Sequence, residues 1–96
     1  MLTGKQKRFL RSKGTQLKAI FQVGKMSVNE NMLEQVKEAL EKRELIKVSV
    51  LQNCLDDKES VAEQLVQGTD AQLVQIIGNN IVLYKESDEN KHIQLP

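Results

Sequence analysis

Seven basic side chains crowd the first quarter of this chain, and their type and spacing point to one chemistry: holding a polyanion. Lys5, Lys7, Arg8, Arg11, Lys13, Lys18 and Lys25 occur with no acidic residue among positions 1–25. Positions 26–96 hold seven basic residues and all 13 acidic ones, so a segment of +7 precedes a body of −6, and the net charge of +1 hides the division. Such asymmetry predicts an anion-binding face on an acidic body. A second feature lies within it. Gly24-Lys25-Met26-Ser27 is a glycine turn just ahead of a helix expected to be capped by Asn29. A turn that opens into a helix sets unpaired backbone N–H groups beside the positive end of the helix dipole, an arrangement suited to phosphate. Gly24 offers close backbone approach or a positive φ, Lys25 adds charge at the tip, and Ser27 adds a hydroxyl.

Other chemistries find little support. Cys54 is the only cysteine, which excludes an internal disulfide framework and reads as a reduced thiol. His92, the one histidine, sits in a polar tail and makes a poor partner for a Cys/His pair. Asp56 and Asp57 read as a helix cap, because no further oxygen ligands surround them. No catalytic residue, metal ligand or cofactor is assigned, and neither a small-molecule substrate nor a membrane is expected as a partner. No apolar run reaches the length of a secretory or membrane segment, so a cytoplasmic location is expected.

Ninety-six residues make one domain, 1–96, and with three aromatic residues (Phe9, Phe21 and Tyr84) its core must be aliphatic. Thr3 caps a first helix that ends near Gly14, with Leu2, Phe9 and Leu10 inward and Lys5, Lys7, Arg8 and Arg11 outward. Residues 19–23 read as a buried strand. Val28 and Leu33 fit a hydrophobic staple around Asn29. The second helix buries Met32, Leu33, Val36, Ala39 and Leu40, with Glu41 on its solvated side. Leu45–Leu51 alternates as a strand, with Ile46, Val48 and Val50 on one face and Lys47 and Ser49 on the other. Asp56 with Glu59 suggests a capping box for a third helix ending at Gly68. Leu73–Ile77 and Ile81–Tyr84 form a hairpin around Gly78-Asn79-Asn80. The α-β-α-β-α-β-β order describes a two-layer α/β sandwich over a four-stranded mixed sheet. If the first helix packs beside the first strand, its basic face, Lys18 and Lys25 form one surface.

The chain also resembles the stand-alone bacterial CRM domain, the chloroplast RNA splicing and ribosome maturation module. Leu2-Thr3-Gly4-Lys5-Gln6-Lys7, Gln22-Val23-Gly24-Lys25 and Glu44-Leu45-Ile46-Lys47-Val48 carry the match. So do Val74-Gln75-Ile76-Ile77-Gly78, Val82-Leu83-Tyr84-Lys85 and Ile93-Gln94-Leu95-Pro96. The resemblance implies a fold similar to the C-terminal domain of bacterial translation initiation factor three. It implies RNA as partner, with large-subunit ribosomal RNA or pre-ribosomal particles as the setting. It also implies RNA contact centred on a GxxG loop. Here that loop runs Gly24, Lys25, Met26, Ser27, with serine at the second glycine position. The expected RNA-binding set is Lys5, Lys7, Arg8, Arg11, Lys18, Gly24, Lys25, Met26 and Ser27. The rival expectation is an adaptor that docks on ribosomal proteins or assembly factors.

Overall fold

Local capping decides where the helices begin. In the computed structural model, which describes residues 2–91 and 93–96, the first helix α1 spans Gly4–Thr15. Thr3 and Gln6 cap each other: the Gln6 N–H donates to Thr3 Oγ1 at 3.1 Å, and the Thr3 N–H donates to Gln6 Oε1 at 3.0 Å. Asn29 caps α2 (Glu30–Arg43) by accepting from the Met32 N–H at 2.9 Å. Val28 and Leu33, the residues of the expected staple, both pack partly buried against the core. The cap of α3 (Lys58–Thr69) is Asp57, which accepts from the Ser60 N–H at 2.8 Å, and not Asp56 as the sequence suggests. Asp56 is drawn away by a hydroxyl far off in sequence, described below.

Four strands form one mixed sheet: β1 (Phe21–Val23), β2 (Leu45–Val50), β3 (Gln72–Ile77) and β4 (Asn80–Tyr84), in spatial order β1-β2-β4-β3. β1 and β2 are parallel, and β4 runs antiparallel to both β2 and β3. Gly78, at φ 57°, turns the β3–β4 hairpin between the paired Ile77 and Asn80. In β3 the register shifts between Leu73 and Gln75, a bulge that spends an extra residue on the edge of the sheet.

The element order and mixed sheet follow the sequence, but the layering differs from the two-layer expectation. Ile46, Val48, Ile81 and Leu83 face a core filled by Val36 and Leu40 of α2 and Val61, Ala62 and Leu65 of α3. Leu45, Val74, Val82 and Tyr84 face the other way and pack under Leu10 of α1 with Leu17, Ile93 and Leu95. The helices therefore divide between the faces. Lys47, expected on an open face, lies beneath this second layer at 8% exposure.

Two glycines read as helix stops are packing devices instead. Gly14 is a buried helical residue, and a Cβ there would lie 2.9 Å from Val82 Cγ1. A Cβ on Gly68 would lie 2.6 Å from Leu33 Cδ2, so this glycine brings α3 against α2. The α3 stop falls to Asp70, in the left-handed region at φ 64°.

The tail is clasped by two carboxylates of α2 and its cap. Glu44 is fully buried and accepts from the Ser87 and Ile93 N–H groups, each at 2.9 Å. Glu41, expected on a solvated face, accepts from Ser87 Oγ at 2.6 Å and from the Asp88 and Glu89 N–H groups at 3.0 Å. Ile93 and Leu95 dock against the α1 layer as irregular chain, not as the edge segment the sequence suggests. The donors around Glu41, Ser87 first, lower its pKa from 4.5 to about 2. Because the folded value is the lower one, this clasp stabilises fully above the ordinary value and is lost as pH falls toward about 2. Acid titrations of the wild type and Glu41→Gln should therefore show a stability gap that is constant near neutrality and narrows below pH 4.5.

Candidate nucleic-acid interface

The cations of α1 are set by helical spacing on a helix pinned to the sheet at both ends. The Leu2 N–H donates to Gln72 Oε1 at 3.1 Å, and Gly14 seats on Val82. Lys5 and Arg8 are exposed and Lys7 is half-buried. Lys13 is exposed with its ammonium 5.4 Å from the Phe9 ring centroid. Arg11 is partly committed: its Nε donates to the Val74 carbonyl at 3.4 Å while Gln75 donates back to the Arg11 carbonyl at 3.4 Å. The β3 bulge is thus tied to α1, and the terminal guanidinium nitrogens of Arg11 have no acceptor among the described residues. Only two ion pairs occur among those residues, Lys37–Glu34 and Lys91–Glu86, so the basic residues of positions 5–25 carry uncompensated charge.

The Gly24–Ser27 turn closes with a 2.9 Å bond from the Ser27 N–H to the Gly24 carbonyl. The positive φ falls on Ser27, at 55°, and not on Gly24. A Cβ on Gly24 would make only ordinary contacts, with Asn53 and Leu51 at 3.6 Å. Serine thus holds a left-handed backbone conformation that glycine adopts at no steric cost. Its hydroxyl donates to Asp56 Oδ2 at 2.6 Å, and Gln64 donates to the same oxygen at 3.1 Å. These donors, Ser27 first, hold the Asp56 carboxyl below its ordinary pKa. The left-handed conformation costs a side-chain-bearing residue about 1 kcal/mol that glycine does not pay. Ser27→Ala, which keeps the strained backbone and loses the hydroxyl, should therefore unfold about 1 kcal/mol sooner than Ser27→Gly in urea titrations.

Charge at this turn is more mixed than the sequence suggests. Lys25 and Met26 project outward, Met26 at 80% exposure. Glu30, however, occupies the first turn of α2, and Asp56 lies beside Ser27. Both carboxylates offset the positive end of the helix.

The structure brings together some of the expected residues and separates others. α1 packs over β2, β3 and β4, whereas the turn follows the far end of β1 and takes its partners from the β2–α3 connection. Lys18 lies near the start of β1, beside Arg43 and Lys47. Sequence reasoning missed that company. Lys42 and Arg43 end α2, and with Lys13, Leu17, Leu45 and Ile93 they line a groove of about 460 Å³. The available signal was the Lys42-Arg43 pair, readable as nothing more than a complement to the helix dipole. Of the residues set aside, Met32 is half-buried in the core, Tyr84 is 3% exposed in the sheet, and Cys54 packs partly buried against the core. Asp56 and Asp57 belong to no metal-ligating group among the described residues, and His92 lies outside those residues. No described helix is long and apolar enough to cross a membrane.

The structure is a mixed α/β fold with exposed cations on one helix that make no ion pair among the described residues, together with a turn built on a positive φ. This chain belongs to the CRS1 / YhbY (CRM) domain family, whose pattern matches residues 2–85. It is 72% identical over 96 residues, all of both chains, to a Bacillus subtilis protein named probable RNA-binding protein YqeI. It is 38% identical over 95 residues, 99% of this chain and 95% of the relative, to a Haemophilus influenzae protein named RNA-binding protein. Its fold matches the solution structure of a hypothetical protein from Staphylococcus aureus with a TM-score of 0.83, 58% identity and full coverage of both chains.

Proposed function

We infer that this chain binds RNA, and that it does so on large-subunit ribosomal RNA precursors during ribosome assembly in the cytoplasm, without catalysis. The observation that carries the reading is the run of basic side chains from Lys5 to Lys25, with no acid in the segment and no ion pair made by any of them among the described residues. The names of the family relatives support RNA over other polyanions. Lys5, Lys7, Arg8, Lys18 and the free nitrogens of Arg11 hold phosphates. Gly24, Lys25, Met26 and Ser27 present a short backbone-contacting tip. Lys25 brings the charge there, and the Ser27–Asp56 bond holds the tip in the shape a GxxG loop takes.

Recognition is mainly of RNA shape and backbone. Phe9 and Phe21 are half-buried and Tyr84 is buried, so little aromatic surface is left for stacking bases. Crosslinking the chain to RNA in cells and mapping the reads tests the assignment. Enrichment on large-subunit RNA and its precursors supports it. Sedimentation with subunits in the absence of RNA crosslinks would instead favour an adaptor held by proteins.

A further inference from the structure

A cationic groove at the other end of β1 and β2 shares only Lys18 with the site assigned above. Its first part lies between the C-terminal ends of α1 and α2, lined by Lys13, Gln16, Leu17, Lys42, Arg43, Leu45 and Ile93. An adjoining recess shares Leu17, Arg43 and Leu45 and adds Lys18, Ile20 and Lys47. Lys13, Lys18, Lys42, Arg43 and Lys47 thus converge there, and no carboxylate lines either part.

The bland account of Lys42 and Arg43 is that they complement the C-terminal dipole of α2, which amounts to about half a charge. Five cations exceed that by far. The two carboxylates nearest in sequence, Glu41 and Glu44, are occupied by the tail's backbone amides and Ser87. Lys47 is the most telling member. It is 8% exposed and has no acidic partner among the described residues, yet no described buried side-chain nitrogen lacks a partner. Its stem therefore runs beneath α1 and its ammonium emerges into the recess. Lys47 thus adds a fifth cation to a lining that holds no carboxylate among the described residues.

We propose that this groove is a second RNA-backbone site, so that the domain grips two stretches of RNA at opposite ends of β1 and β2. The proposal rests on the RNA-binding reading above. Leu45 opens β2 beside the groove, and Val50 closes it beside the Leu51–Asp56 connection that supports the Gly24–Ser27 turn. Six residues of strand separate the two ends by about 20 Å. The apolar floor of Leu17, Leu45 and Ile93 suits ribose and base edges while the cationic rim holds phosphates.

The test uses the full chain, a hexauridine probe and a large-subunit RNA fragment. Lys13→Gln/Lys42→Gln/Arg43→Gln removes three exposed groove cations, and circular dichroism and thermal unfolding confirm that the variant folds. The wild type should bind two hexauridines per chain and the variant one. Three lost contacts should weaken binding of the long RNA about a hundredfold at 0.1 M salt and flatten its salt slope by about 2. If the folded variant keeps the stoichiometry and slope, while neutralising Lys5, Arg8 and Lys25 weakens binding about a hundredfold, the second site is refuted and the first stands. If the wild type shows no salt-sensitive RNA binding, the reading beneath both sites fails. If the groove variant loses only affinity for a polyglutamate peptide, the groove serves an acidic protein and the proposal is wrong.

Discussion

Neutralising Lys5, Arg8 and Lys25 together, each to glutamine, should weaken RNA binding about a hundredfold at 0.1 M salt while leaving the fold intact. Each single-strand phosphate contact contributes about 0.7 log units of affinity per log unit of salt. That makes one contact worth about fivefold at 0.1 M relative to 1 M, and three together about a hundredfold. All three side chains are exposed and make no ion pair among the described residues, so their removal costs the folded state little. The loss should be nearly uniform across RNA sequences, because phosphate contacts position without reading bases. Filter binding or fluorescence anisotropy against several RNAs of equal length checks both statements. A loss confined to one sequence would show base readout instead.

Glu44→Ala should strongly destabilise the fold. Its carboxylate is fully buried and accepts the Ser87 and Ile93 amides. Truncation leaves those two donors without the acceptor they were folded around, at about 1–3 kcal/mol each. A combined loss of about 2–6 kcal/mol is a large part of the stability of a domain this size. The melting temperature should fall by at least about 10 °C. Glu44→Gln keeps one acceptor oxygen and should fall between the wild type and alanine. The Glu44 backbone is also at φ 63°, so Glu44→Gly relieves the backbone but does not restore the acceptor. If glycine were to rescue stability fully, the backbone and not the clasp would be what this residue serves.

The helices and strands were legible because their signals are local. Thr3 with Gln6, Asn29 with Val28 and Leu33, and the alternation of Ile46, Val48 and Val50 each act within a few residues. What sequence reasoning missed depends on neighbours far along the chain. A glycine near a helix end fits a stop or a close contact equally well, and only Val82 and Leu33 decide that Gly14 and Gly68 are contacts. Asp56 and Asp57 are equivalent as caps until Ser27 claims one of them. Glu41 looks solvated until the tail folds back onto it. One misreading was avoidable. Ile81-Val82-Leu83-Tyr84 has no polar alternation, the mark of a strand covered on both faces, and it foretells a helix on each side of the sheet. The charge asymmetry located α1 as a cationic surface, but the second cluster was invisible because Lys13, Lys42 and Lys47 meet only through tertiary packing.

Serine stands at the second glycine position of the loop. In the fold it carries the positive φ of the turn and is anchored on Asp56. RNA binding then depends on whether the cations around that tip and along α1 hold phosphate. The most direct measurement is the affinity of the wild-type chain for a large-subunit RNA fragment as a function of salt. With Lys5, Lys7, Arg8, Arg11, Lys18 and Lys25 engaged, log K should fall with log salt at a slope of about −4 or steeper. A slope near zero, or no binding at low salt, would contradict it.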